Sequence, residues 1–139
     1  MAVTLASELG DVTVFEWRDA RTLEDELFLS LTDAAVERLI RRAIEHHSEE
    51  LVNEHIKSVS QTAKDLNGIA AEMLEGDISV ATREILGKAA RTRKAGWFKS
   101  VTWMEDIARD IVGPDLADAD AGFRTIVENL FTWANDAPR

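Results

Sequence analysis

The alternation of polar and apolar positions along this chain changes its period once, near residue 20. Asp11-Val12-Thr13-Val14-Phe15-Glu16-Trp17 is rich in β-branched and aromatic residues and alternates after its start, which predicts a β-strand. A lone strand leaves its backbone donors and acceptors unpaired, so it needs a neighbouring chain or the rest of a larger sheet. From Thr22 onward the pattern is helical. Thr22 is placed to cap a short helix carrying Leu23, Leu27 and Leu31. Thr32 or Asp33 opens a clearer one, with Val36, Leu39, Ile40, Ala43 and Ile44 recurring on one face. Ser48 caps a run containing Leu51, Val52, His55, Ile56 and Val59. Leu66, Ile69, Ala70, Met73 and Leu74 form the next, stopped by Gly76, and Ser79 starts another through Val80, Ile85 and Leu86.

Farther on, Thr102-Trp103-Met104-Glu105 has the form of a capping box, a hydroxyl followed three residues later by Glu. The helix behind it shows Ile107, Ala108, Ile111 and Val112, and Gly113-Pro114 reads as its stop. Asp120 then caps a last helix with Phe123, Ile126, Val127, Leu130 and Phe131. The pattern predicts a mainly α fold, about six helices packed as an irregular bundle, with one N-terminal β-strand that is a remnant of, or an addition to, a sheet.

Composition narrows the class. At 139 residues, 45% hydrophobic and 30% charged, the chain can bury a real core and belongs with folded rather than disordered proteins. It has no cysteine, which excludes disulfides and thiolate metal sites and suits a reducing compartment. No apolar run approaches the roughly 18–20 residues that cross a bilayer, and the N-terminus lacks a secretory pattern. The expectation is a cytoplasmic protein with no membrane partner.

Charge adds a local anomaly. Arg83, Lys88, Arg91, Arg93, Lys94 and Lys99 face the single acid Glu84, a local charge of +5 in a chain whose total is −10. A solvated helix face or a helix C-terminus would explain this blandly. A site for phosphate, nucleic acid or an acidic protein surface is the sharper reading. The total charge argues against general coating of DNA, but a local patch can still meet phosphates.

Three acidic residues, Glu24-Asp25-Glu26, follow the strand. On a helix, successive side chains turn by about 100°, so Glu24 and Glu26 diverge. In a loop or first turn they could converge on a hard cation that prefers oxygen ligands. Their plainer role is to favour the positive end of a helix. His46, His47 and His55 lack the spacing and the supporting cysteines of a zinc site and read as surface or half-buried helix residues. Asp118-Ala119-Asp120 lies between helices, with Asp120 occupied as a cap, and reads as structural. Gly87 and Gly96 are isolated, so no glycine-rich phosphate loop and no ATP site is expected, and no serine sits in a nucleophile elbow. Gly96-Trp97-Phe98-Lys99 is more specific. Its aromatics suit a helical core and would hold the Lys99 ammonium rigidly at the rim.

Two stretches, Trp17-Arg18-Asp19 through Leu23-Glu24-Asp25-Glu26-Leu27-Phe28, and Lys94-Ala95-Gly96-Trp97-Phe98-Lys99-Ser100, resemble the C-terminal part of ATP-dependent endonucleases of the overcoming-lysogenization-defect (OLD) family. Those proteins carry an ABC-type ATPase followed by a Toprim nuclease domain. The resemblance divides the chain into residues 1–31, a strand and short acidic helix ending a Toprim-like domain, and 32–139, a helical domain. It implies Glu24 and Glu26 as carboxylates for Mg²⁺ or Mn²⁺, and Lys99 as the lysine assisting phosphodiester cleavage. Arg91, Arg93 and Lys94 would then guide the DNA backbone. The phosphate loop and the early Toprim acids of the family do not occur here. The resemblance therefore implies a fragment or shortened relative, inactive by itself, whose partners are DNA and the missing ATPase and early Toprim portions or a homologous chain. The other expectation is a non-enzymatic helical module that docks an acidic partner through residues 83–99, or pairs with itself as a homodimer through opposite charges.

Overall fold

A computed structural model of the chain describes residues 21–92 and 96–136, with side chains through Trp133, and the backbone of two short segments near the N-terminus. Those segments, β1 (Ala2–Ala6) and β2 (Val12–Glu16), pair antiparallel with Thr4 opposite Val14. The strand expected over 11–17 takes in residues outside the described ones, and its relation to a larger sheet lies outside them too.

The rest is helical. α1 (Leu23–Ser30) begins at Thr22, whose hydroxyl accepts from Asp25 N–H while the Asp25 carboxylate accepts from Thr22 N–H, at 3.2 and 3.1 Å. Two donors that a helix start leaves unpaired are thereby satisfied. α2 (Asp33–His46), α3 (Glu49–Val59), α4 (Leu66–Leu74) and α5 (Val80–Ala90) are capped by Thr32, Ser48, Asp65 and Ser79 in the same local way. Gly76, at φ +85°, ends the α4 turn with a left-handed residue.

The apolar stripe of α2 is buried as its spacing predicts: Val36, Leu39 and Ala43 are fully enclosed. α1 packs chiefly on α5, and Leu27, Phe28 and Leu31 share one core with Val36, Leu86, Trp97 and Ile107. The helix expected to close a preceding domain thus buries its face among the helices after residue 32. The approach of α1 to α5 is close. A Cβ at Gly87 would stand 2.7 Å from an Asp25 carboxylate oxygen and 3.0 Å from the Asp25 Cα. Not every periodic residue is inside. Leu74, the last residue of α4, is 90% exposed, and Val80, the first of α5, 65%.

Three features depart from the sequence expectations. The capping residue of α6 (Val101–Ile107) is Ser100, whose hydroxyl accepts from Trp103 N–H at 3.0 Å, and Thr102 lies inside the helix. Gly113-Pro114 does not stop that helix. The backbone widens into a π turn over Ala108–Val112, Gly113 N–H donates to the Ala108 carbonyl, and Pro114 falls in the first turn of a short α7 (Gly113–Asp115). Proline has no N–H to give the helical ladder, and it follows directly on the widened π turn. A 3₁₀ turn, Leu116–Asp118, leads to α8 (Ala121–Asp136).

Arg83 is the third. Counted with the basic segment, its guanidinium instead points inward, donating to the carbonyls of Phe28 at 2.7 Å and Leu31 at 2.6 Å and pairing with Asp33. It satisfies carbonyls at the end of α1 and ties them to the start of α2. Asp115 holds the same junction from the far side, accepting from Thr32 N–H at 3.0 Å and from its hydroxyl at 2.5 Å. Among the described residues no helix is long and apolar enough to cross a membrane.

Candidate functional site: the Glu24–Lys99 groove

A groove of about 190 Å³ opens between the start of α1 and the segment that joins α5 to α6. It is lined by Glu24, Ala90, Arg91, Thr92, Gly96, Phe98 and Lys99. The fold makes this wall in two steps. Trp97 N–H donates to the Ala90 carbonyl at 2.9 Å, which closes the segment back onto the end of α5. Trp97 and Phe98 then sink into the core, with Trp97 meeting Phe28 edge-on at 5.9 Å and Phe98 edge-on at 6.4 Å. Lys99, the next residue, is left exposed at the rim. The anchoring of Lys99 by two buried aromatics follows the expectation from sequence.

The acidic triplet separates as helical geometry requires. Glu24 faces the groove and is half-buried. Glu26 is fully buried on another side of α1, where it accepts from Arg21 Nη1 at 2.9 Å and from the Ser30 hydroxyl at 3.1 Å. Asp25 lies between them, paired with the Arg91 Nε at 3.4 Å. The structure therefore brings Glu24 and Lys99 to one groove and leaves Glu26 out of its lining. Arg91 is at the groove but shares its charge with Asp25. Arg93 and Lys94 lie outside the described residues.

The groove offers one carboxylate, whereas Mg²⁺ or Mn²⁺ takes about six oxygen donors, several of which can be water. Among the described residues no three His, Cys, Asp or Glu side chains gather closely enough to hold a metal ion. Glu24 could be one ligand of a set completed from elsewhere. For Glu26 to join it, this carboxylate would have to turn away from Arg21 and Ser30 and out of the core.

Behind the groove stands a polar cluster that the sequence reading did not assemble. Trp97 Nε1 donates to His55 Nδ1 across 3.1 Å, a bond between side chains 42 residues apart. His46 stacks on Trp103 with ring centroids 4.4 Å apart, and His47 meets the same indole edge-on at 5.3 Å. His46 Nδ1 and His47 Nε2 are enclosed without a hydrogen-bond partner. Burial lowers the pKa of His46, opposed by the Trp97 backbone and reinforced by Arg42. Burial also lowers His55, with His47 adding to the effect. In sequence these residues are only His46-His47 at the end of α2, His55 inside α3, and Trp97 and Trp103 on either side of the start of α6.

No family model, curated protein or solved structure matches this chain.

Proposed function

We propose that the chain is the C-terminal part, or a shortened relative, of an OLD-type Toprim nuclease, and that its groove contributes Glu24 and Lys99 to metal-dependent cleavage of a DNA phosphodiester. The observation that carries this reading is the meeting of Glu24 and Lys99, 75 residues apart in sequence, at one groove. These are residues of the two stretches that resemble the family. A divalent Mg²⁺ or Mn²⁺ would supply the Lewis acid and lower the pKa of the attacking water. Lys99 would offset the negative charge that grows on the phosphate oxygens, and Phe98 and Trp97 would keep its backbone from drifting. Glu24 is one ligand, and Glu26, held by Arg21 and Ser30, stiffens the α1 turn that presents it. The remaining carboxylates would come from a preceding Toprim portion or a homologous chain, in the cytoplasm.

The docking alternative has less support in the geometry. Arg83 is spent inside the fold and Arg91 is partly neutralised by Asp25, so the basic segment presents less free charge than its composition implies.

The test has two parts. Incubated alone with supercoiled plasmid and Mn²⁺, the chain should leave the DNA intact. Mn²⁺ titrated against it and followed by electron paramagnetic resonance should bind weakly, in the millimolar range, and Glu24→Gln should weaken that binding severalfold. Nicking by the isolated chain that disappears in Lys99→Ala would show a complete site and refute the proposed division. Mn²⁺ binding indifferent to Glu24→Gln would remove the groove from the metal's surroundings.

A further inference from the structure

The geometry points to His55 as a positioning residue for Lys99: the neutral imidazole on α3 latches the buried Trp97 indole, and protonation of that imidazole releases the segment that holds Lys99 at the groove. An indole N–H can only donate, so His55 must present Nδ1 as an acceptor, with its proton on Nε2. An imidazolium carries N–H on both nitrogens and cannot accept. The Trp97 donor, on a ring with no exposed surface, would then be buried opposite another donor. Lys99 is two residues beyond Trp97, and the intervening Phe98 is itself buried, so a displacement of the indole is passed directly to the groove wall.

The groups around the latch set the direction of the switch. Among the described residues, the titratable side chain that acts on His55 is His47, which caps the C-terminal end of α2. The adjoining His46 faces Arg42, His47 and Glu45 and the Trp97 backbone. Burial and His47 both hold His55 below the ordinary imidazole value of 6.5, so the native fold favours the accepting form. The latch is complete above that value and is lost as the pH falls through the lowered one.

The latch concerns where Lys99 sits and holds whether or not the groove takes a metal, so its test is independent of nuclease activity. The full chain is labelled with ¹⁵N for the indoles and with ¹³C-dimethyl groups on lysine. The Trp97 indole resonance is assigned by Trp17→Phe, Trp103→Phe and Trp133→Phe, and Lys99 by Lys99→Arg. Between pH 7.5 and 5 the Trp97 N–H should exchange with water at least tenfold faster, and the Lys99 methyl resonance should move with the same midpoint as the His55 ring protons. In His55→Asn, whose amide oxygen replaces Nδ1 as a non-titrating acceptor, both resonances should stay in place over that range. Unchanged Trp97 and Lys99 resonances while the His55 ring titrates in the wild-type chain would overturn the proposal, however the variants fold. The same pH response in His55→Asn would also overturn it, by assigning the effect to His46 or His47.

Discussion

Removing the charge of Glu72 should loosen the α4–α5 corner by an amount that depends on pH in a defined way. The Glu72 carboxylate accepts from the Thr82 hydroxyl at 2.9 and 2.7 Å, from Ser79 N–H at 3.1 Å and from the Lys64 ammonium at 3.2 Å. Partial burial pushes its pKa up, but the hydrogen bonds from Thr82, Ser79 and Lys64 outweigh that and bring it from 4.5 to about 2. Each pKa unit corresponds to about 1.4 kcal/mol, so the full shift would be roughly 3 kcal/mol. With 18% of the side chain still exposed, solvent screening reduces the expected contribution to about 2 kcal/mol. The folded-state value is depressed, so this stability is present above pH 4.5 and disappears as the pH falls through about 2. Glu72→Gln should therefore lower the urea-unfolding free energy by about 2 kcal/mol at pH 7, a fall of roughly 6 °C in Tm for a chain of this size. The gap from wild type should hold from pH 7 to 5 and narrow progressively at lower pH. Circular dichroism at 222 nm measures both. A gap below about 0.5 kcal/mol at pH 7, or one that persists unchanged at pH 2.5, would refute the assignment.

Two further outcomes test features that the structure revised. Ser100→Ala should cost about 1 kcal/mol through loss of the α6 cap, whereas Thr102→Ala, at an exposed interior helix position, should change the unfolding free energy by less than about 0.5 kcal/mol; comparable losses would restore Thr102 as the cap. Arg83→Met should cost about 2–4 kcal/mol, because it strands the Phe28 and Leu31 carbonyls and leaves the Asp33 carboxylate with only the Ile78 N–H among these bonds, and the loss should be insensitive to added salt. A small, salt-sensitive effect would mean that Arg83 acts as a surface charge.

Much of the helical framework was legible because its signals are short-range. Thr22, Ser48, Ser79 and Asp120 each bond an N–H three residues on, and such a contact needs nothing from the rest of the chain. The stripe of α2 was legible for the same reason, since one helix face can be read from spacing alone. The divergence of Glu24 and Glu26 also followed from the helical turn.

The tertiary structure alone decided how these local pieces are used. Ser100 and Thr102 are both competent caps, and the choice fell to Ser100 where burial of Trp97 and Phe98 brings the chain to the start of α6. Gly113-Pro114 carries the local form of a stop, but Asp115 must reach Thr32, and a π turn lets the helix continue to it. Arg83 added to a positive count until the fold set the α1 carbonyls within reach of its guanidinium. Which acid of the triplet lines the groove with Lys99, 75 residues away, and which histidine holds Trp97, 42 residues away, likewise depended on the packing of the helices. The sequence determined the helices and their apolar faces because those depend on neighbours along the chain. The groove and its latch depend on neighbours in space, which exist only once the helices have packed.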